Sequence, residues 1–161
     1  MIRLKITFIL LCSLLYSGRL FAQASDASAG CSDLGIEQEV AELKEEFKEQ
    51  GFEVVQDAMF QLQPRSDYPL IYKLQKADFY EVIFVCNENA NKMKLDLIDP
   101  EQEVFVSKEL RPIQHTSNVI SFSFAPTSSD SYTFMLSQVI KKNSCVSFTI
   151  MKLKSEADQE E

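Results

Sequence analysis

Beyond Gly51 the chain alternates apolar and polar residues with a period of two, the pattern of strands that hide one flank. Ile120, Phe122 and Phe124 interleave with Ser121 and Ser123; Tyr132, Phe134 and Leu136 interleave with Thr133 and Met135. Val146, Phe148 and Ile150 do so with Ser147, Thr149 and Met151. Met93, Leu95 and Leu97 alternate with Lys94 and Asp96, and Val104 and Val106 continue the pattern after Asp99-Pro100-Glu101-Gln102, a segment suited to a type I turn. Upstream, Phe52 to Leu62 reads as a first strand, and Gln63 to Asp67 as a breaker. Leu70 to Leu74 follows as a second strand. Phe79 to Cys86 is apolar on both flanks and is expected to be central. Hydroxyl-bearing residues opposite the apolar ones point to antiparallel sheets with a wet side.

Ahead of this region the period is helical. Ile36, Val40, Leu43 and Phe47 recur at spacings of 4, 3 and 4, with acidic and basic residues around the other faces. Ser32 or Asp33 can cap the start, Glu37 and Glu39 favour the positive end of the helix dipole, and Gly51 stands where a left-handed cap belongs. These patterns predict a mainly β fold: a single antiparallel β-sandwich of seven or eight strands over 52–154, with one N-terminal amphipathic helix over 32–50. Nothing alternates strand with helix, and no fixed-period repeat is present.

Residues 1–24 change the picture of where the chain works. Arg3 and Lys5 precede an apolar core of 11 residues, Ile6 to Tyr16, and Ala22-Gln23-Ala24 supplies small residues for cleavage after Ala24. This reads as a signal peptide, too short to remain as a spanning helix. Cleavage removes 24 of 161 residues and leaves 137, which suits one domain. It also removes three basic residues and no acidic one, moving the net charge from −8 to −11. Such a surface lacks the basic footprint that nucleic acids and anionic lipids require. The mature chain is expected to be soluble, without an integral membrane span, and periplasmic or extracellular. Residues 25–31 read as a small, polar tether and 155–161 as a disordered acidic tail.

Three cysteines remain after cleavage: Cys31, Cys86 and Cys145. Cys86 and Cys145 border strand-like runs, which makes Cys86–Cys145 the candidate disulfide. Their phases disagree, because Cys86 follows the apolar flank of its strand while Cys145 is out of step with Val146, Phe148 and Ile150. The alternative leaves all three as thiols, with Cys86 a small core residue. Ser28-Ala29-Gly30-Cys31 has small residues before a cysteine, as lipoprotein signals do. It lacks the apolar residue three positions before Cys31, so lipidation is not expected.

Leu97-Ile98-Asp99-Pro100-Glu101-Gln102-Glu103-Val104-Phe105, then Ile120 to Phe124, then Ser131 to Leu136 resemble the second half of GOLD-type and bacterial pre-peptidase C-terminal sandwich domains. The resemblance covers about a third of the chain. Asp130-Ser131 stands where those families carry a glycine. It implies a non-catalytic accessory or recognition module and transfers no site residues.

Candidate chemistry is sparse. His115 is the only histidine, in a polar loop, and no Gly-x-Ser-x-Gly elbow accompanies it. Asp96, Asp99, Glu101 and Glu103 cluster about Pro100 without the spacing or glycine of a calcium loop, and read as a solvated acidic turn. Glycine-rich phosphate loops are absent from the sequence. Tyr68, Tyr72, Phe79, Tyr80, Phe105 and Tyr132 are candidates for an aromatic platform, with most expected in the core. The expected function is therefore binding without catalysis, with no metal or cofactor. The partner would be another protein or an envelope component. A small-ligand or carbohydrate-binding module is the alternative, and a cryptic hydrolase a more distant one.

Overall fold

Tyr132 is completely buried, and its hydroxyl organises the turn that leads into its strand. The backbone N–H groups of Thr127 and Ser128 donate to it at 3.1 and 3.2 Å, and it donates to the Ser128 carbonyl at 3.3 Å. A ring that fills the core thus satisfies polar groups that a turn without glycine leaves open. The computed structural model that shows this describes residues 31–114 and 117–155. The expected signal peptide with its cleavage site after Ala24, residues 25–30 of the expected tether 25–31, His115 and residues 156–161 of the expected tail 155–161 lie outside the described residues.

Among the described residues eight antiparallel strands follow one α-helix, as the alternation predicts. Helix α1 spans Leu34–Glu49. The strands are β1 (Phe52–Leu62), β2 (Asp67–Leu74), β3 (Tyr80–Val85), β4 (Lys92–Ile98), β5 (Val104–Leu110), β6 (Val119–Phe124), β7 (Asp130–Val139) and β8 (Ser144–Leu153). They form two four-stranded sheets, ordered β1-β8-β3-β6 and β2-β7-β4-β5. That order is a jelly roll, in which all sequence neighbours except β4 and β5 lie on opposite sheets and the chain wraps around one core. The predicted sandwich is present, and β3 is internal to its sheet as expected.

Between the sheets lie the inward residues of both, including Val82, Phe84, Leu95, Leu97, Phe134, Leu136, Phe148 and Ile150, all without exposed surface. Phe134 and Phe148 pack across the gap with ring centroids 5.1 Å apart. Phe122 is half-buried against the same cluster, on edge strand β6. Asp99 and Gln102 close the predicted turn, the Gln102 N–H donating to the Asp99 carbonyl at 3.0 Å. A register shift in the β4–β5 pair pairs Ile98 with Val104 and Leu97 with Val106. Val104 and Val106 consequently leave the common flank that their spacing predicts: Val104 is 59% exposed and Val106 packs on the core.

The outward flank of β1-β8-β3-β6 is not wet. Ile83 and Val85 on β3, Met151 on β8 and Phe52 on β1 form a second apolar cluster with Ile36 and Val40 of α1, joined by Leu43 and Phe47. The helix therefore roofs this sheet with the stripe read from its sequence. Asp33 caps it, accepting from the Gly35 and Ile36 N–H groups at 3.1 and 3.4 Å. Gly51 ends it at φ 91°, a left-handed conformation suited to glycine. Polar ties fix its position: Lys44 pairs with Asp57, which accepts from the Thr149 hydroxyl at 2.8 Å. Asn118 donates to Glu39 at 2.6 Å.

The cysteine pairing differs from expectation. Cys145 is bonded to Cys31, with Cα atoms 5.8 Å apart, and Cys86 is free and buried. The phase conflict has its physical cause here. Cys86 points inward, its thiol donating to the Asn87 carbonyl at 3.4 Å beside the Met93 sulfur at 3.4 Å. Cys145 points outward to the helix side, where the chain entering α1 delivers Cys31.

Candidate functional site

Among the described residues one sheet is roofed by α1 and the other is open, and the open face is where the outward pattern departs from polar. Antiparallel register places Ile71 of β2 opposite Thr133 of β7, Thr133 opposite Ile98 of β4, and Ile98 opposite Val104 of β5. This row crosses all four strands. Its ends are the apolar side chains most open to solvent on the sheet, Ile71 at 66% and Val104 at 59%. A lone exposed apolar residue carries little information, but Ile71, Ile98 and Val104 share one row across the sheet, interrupted only by Thr133.

The neighbouring rows change character in order. Pro69, Met135, Asp96 and Ser107 form the second, and Asp67, Ser137, Lys94 and Glu109 the third. Asp96 accepts from Lys94 at 2.5 Å and from the Ser107 hydroxyl at 2.6 Å, and Lys92 pairs with Glu109 at 2.7 Å. The hydrogen bond to Asp96 raises the Lys94 pKa, and the hydrogen bond from Lys92 lowers that of Glu109. The face therefore runs from an apolar end to a fixed, internally paired ionic end. Such a surface offers burial at one end and orientation at the other.

The six aromatic candidates do not converge. Tyr132 and Tyr80 are buried. Tyr68 stacks on Phe60 at 4.6 Å and Tyr72 on Phe148 at 6.0 Å, both within the sandwich. Phe79, 41% exposed, leans on Phe52 at the helix end, whereas Phe105, 39% exposed, meets Phe124 at the far edge. They form no continuous strip. The acidic turn also disperses: Asp96 serves the open face, and Asp99 accepts from the Glu103 N–H at 2.8 Å to close its own loop. Among the described residues no three His, Cys, Asp or Glu side chains are grouped to hold a metal ion. No described helix is long and apolar enough to cross a membrane.

Among the buried groups with shifted titrations, one is a carboxyl and one a thiol, and neither forms a site. Glu81 is 2% exposed on the outward flank of β3, and burial raises its carboxyl pKa against the lowering effect of hydrogen bonds from Ser123 and Ser121. Burial also pushes the Cys86 thiol up to about 12, which removes it from nucleophilic chemistry at neutral pH.

Sequence reasoning passed over one concave feature. At the loop end of the sandwich, a depression of about 620 Å³ lies between the β3–β4 loop, with Asn87, Asn89 and Asn91, and the β7–β8 hairpin, with Lys141, Lys142 and Ser144. Its only sequence signal was an asparagine-rich turn, which reads first as a turn.

No family model matches the chain, and no curated protein matches it. Solved structures with some likeness include a de novo designed double-stranded β-helix (11% identity, 61% of this chain, 99% of that one, TM-score 0.37). A CBM4 shares 7% identity over 65% of this chain and 79% of its own, with TM-score 0.42. An arabinose-bound α-L-arabinofuranosidase shares 10% identity over 63% of this chain and 23% of its own, with TM-score 0.34.

Proposed function

We propose that this chain is an exported, non-catalytic recognition module that docks on another protein or envelope component through the open face of β2-β7-β4-β5. The carrying observation is the inequality of the two sheets. α1 occupies one outer face, while the other leaves the row Ile71–Thr133–Ile98–Val104 uncovered. Burying that row against a partner would return apolar surface to a dry environment at about 25 cal/mol per Å². The Lys94–Asp96–Ser107 and Lys92–Glu109 groups would set orientation, since paired charges at a rim contribute specificity more than affinity. The reading agrees with the accessory role that the GOLD-like resemblance implies.

Photo-cross-linking in the native envelope tests it. A photoreactive side chain at Ile71, Met135 or Val104 is expected to trap one common species. The same group at Gln38 or Glu45, on the outer side of α1, is expected to trap none. Equal trapping from both sides of the molecule, or trapping from α1 alone, would overturn the proposal.

A further inference from the structure

The depression at the loop end differs in charge from the rest of the molecule. The chain carries a net charge of −8, yet no described carboxylate lines this basin. Glu88, in the same loop as Asn87 and Asn89, lines a separate depression with Asp33 and Glu39 instead. Lys141 and Lys142 stand side by side in the basin, and no described carboxylate pairs with either; the other ion pairs of the fold use Lys44, Lys48, Lys92, Lys94, Arg111 and Lys152. Two adjacent ammonium groups left without counter-charge on an acidic protein are an anion's natural partners.

The remaining lining specifies more than charge. Asn89 donates its side-chain and backbone N–H groups to the Asn87 side-chain oxygen Oδ1 at 3.1 and 3.0 Å. Those bonds hold the loop, and among the described residues nothing bonds the Asn87 side-chain N–H₂, the Asn89 side-chain oxygen or either end of the Asn91 side-chain amide. The Asn91 backbone N–H donates to Val139 at 2.8 Å, which fastens the loop to the strand that leads into the lysine hairpin. Amides offer a donor and an acceptor side by side, the match for neighbouring hydroxyls that also do both. Ile113, 60% exposed, supplies an apolar wall for a C–H face. The volume lies within the roughly 300–1,000 Å³ of small-molecule sites.

We infer that this basin binds an acidic sugar unit, a pyranose bearing a carboxylate, with the carboxylate at Lys141 and Lys142 and ring hydroxyls at Asn87, Asn89 and Asn91. The site lies apart from the open sheet face and stands or fails independently of the docking proposed there.

The probe is glucuronate, titrated into ¹⁵N-labelled protein at low ionic strength, with glucose and acetate as separate arms. Glucuronate is expected to shift the amide resonances of Asn87 to Asn91 and Lys141 to Ser144. Its binding should be at least about fivefold tighter than either arm and weaken with added salt, as screening requires. Lys141→Gln/Lys142→Gln should weaken glucuronate at least about fivefold while the melting temperature holds, both side chains being exposed. Asn91→Ala should erase the advantage over acetate and leave acetate binding intact. Glucuronate binding no tighter than acetate or than glucose would overturn the inference. So would resonance shifts confined to other regions, or equal binding by the double-lysine variant.

Discussion

Cys31 and Cys145 are 114 positions apart in sequence and bonded in space, and that bond ties the entrance of α1 to the outward flank of β8. It closes a loop containing most of the fold, so it constrains the unfolded chain strongly. It also explains how a short amphipathic helix stays seated on a sheet.

Reduction, or Cys145→Ser, is expected to lower stability by about 2–5 kcal/mol, the usual cost of removing a native disulfide from a small domain. Urea unfolding with and without reductant measures it. Hydrogen exchange should show α1 losing protection before β3 and β8 do. The bond also occupies the Cys31 sulfur that a lipid anchor would need. Under the proposed export, mass spectrometry should find a chain beginning at Ser25, two hydrogens lighter than its reduced mass and with no lipid.

Cys86 should be silent until the protein unfolds. Its thiol is held at about 12 against an ordinary 9.0, so the folded state keeps a proton that the unfolded state loses first. The associated stability is fully present below about pH 9 and is lost as pH rises toward 12. Thiol titration of unreduced protein should count no reactive group when native and one in denaturant. Cys86→Ala should flatten the alkaline fall.

Glu81 carries the same sign of effect at acidic pH. Its carboxyl is raised by burial, so its contribution is greatest below the usual 4.5 and is lost as pH climbs through the folded value. Glu81→Gln keeps a partner for Ser123 and is expected to raise stability at pH 7 by about 1 kcal/mol. Glu81→Ala should lower it, because the Ser123 hydroxyl loses its acceptor. Chemical denaturation of the three proteins at pH 4 and pH 7 separates the cases.

Tyr132→Phe keeps the core ring and removes only the hydroxyl that serves Thr127 and Ser128. A loss of about 1–3 kcal/mol is expected, with the midpoint shifted and the denaturant slope unchanged. A neutral result would show that water replaces the hydroxyl at that turn.

The sequence made the strands legible because a period of two is local information. Phe122, Phe134 and Phe148 each lie on the core side of a strand. The helix was equally legible from Ile36, Val40, Leu43 and Phe47, two of which are buried and two half-buried under it. What could not be read was which strands lie beside which. β1 pairs with β8 across most of the chain, and that depends on wrapping around a core rather than on any local pattern. Cys145 announced its outward direction through its phase. Its partner sat in a tether with no period to place it. The apolar row is the clearest case of this limit. Ile71 and Val104 belong to one surface only after four strands take register and the irregularity near Leu97 turns Val104 outward.

The open face is tested most directly by Ile71→Lys/Val104→Lys, read through the photo-cross-link formed from Met135 in the native envelope. Both side chains are largely in water, so stability should stay within about 0.5 kcal/mol of the parent. If the face is the docking surface, the cross-linked species should fall at least about tenfold, the effect of roughly 1.4 kcal/mol of lost affinity. An undiminished cross-link from a fully folded variant would contradict the assignment.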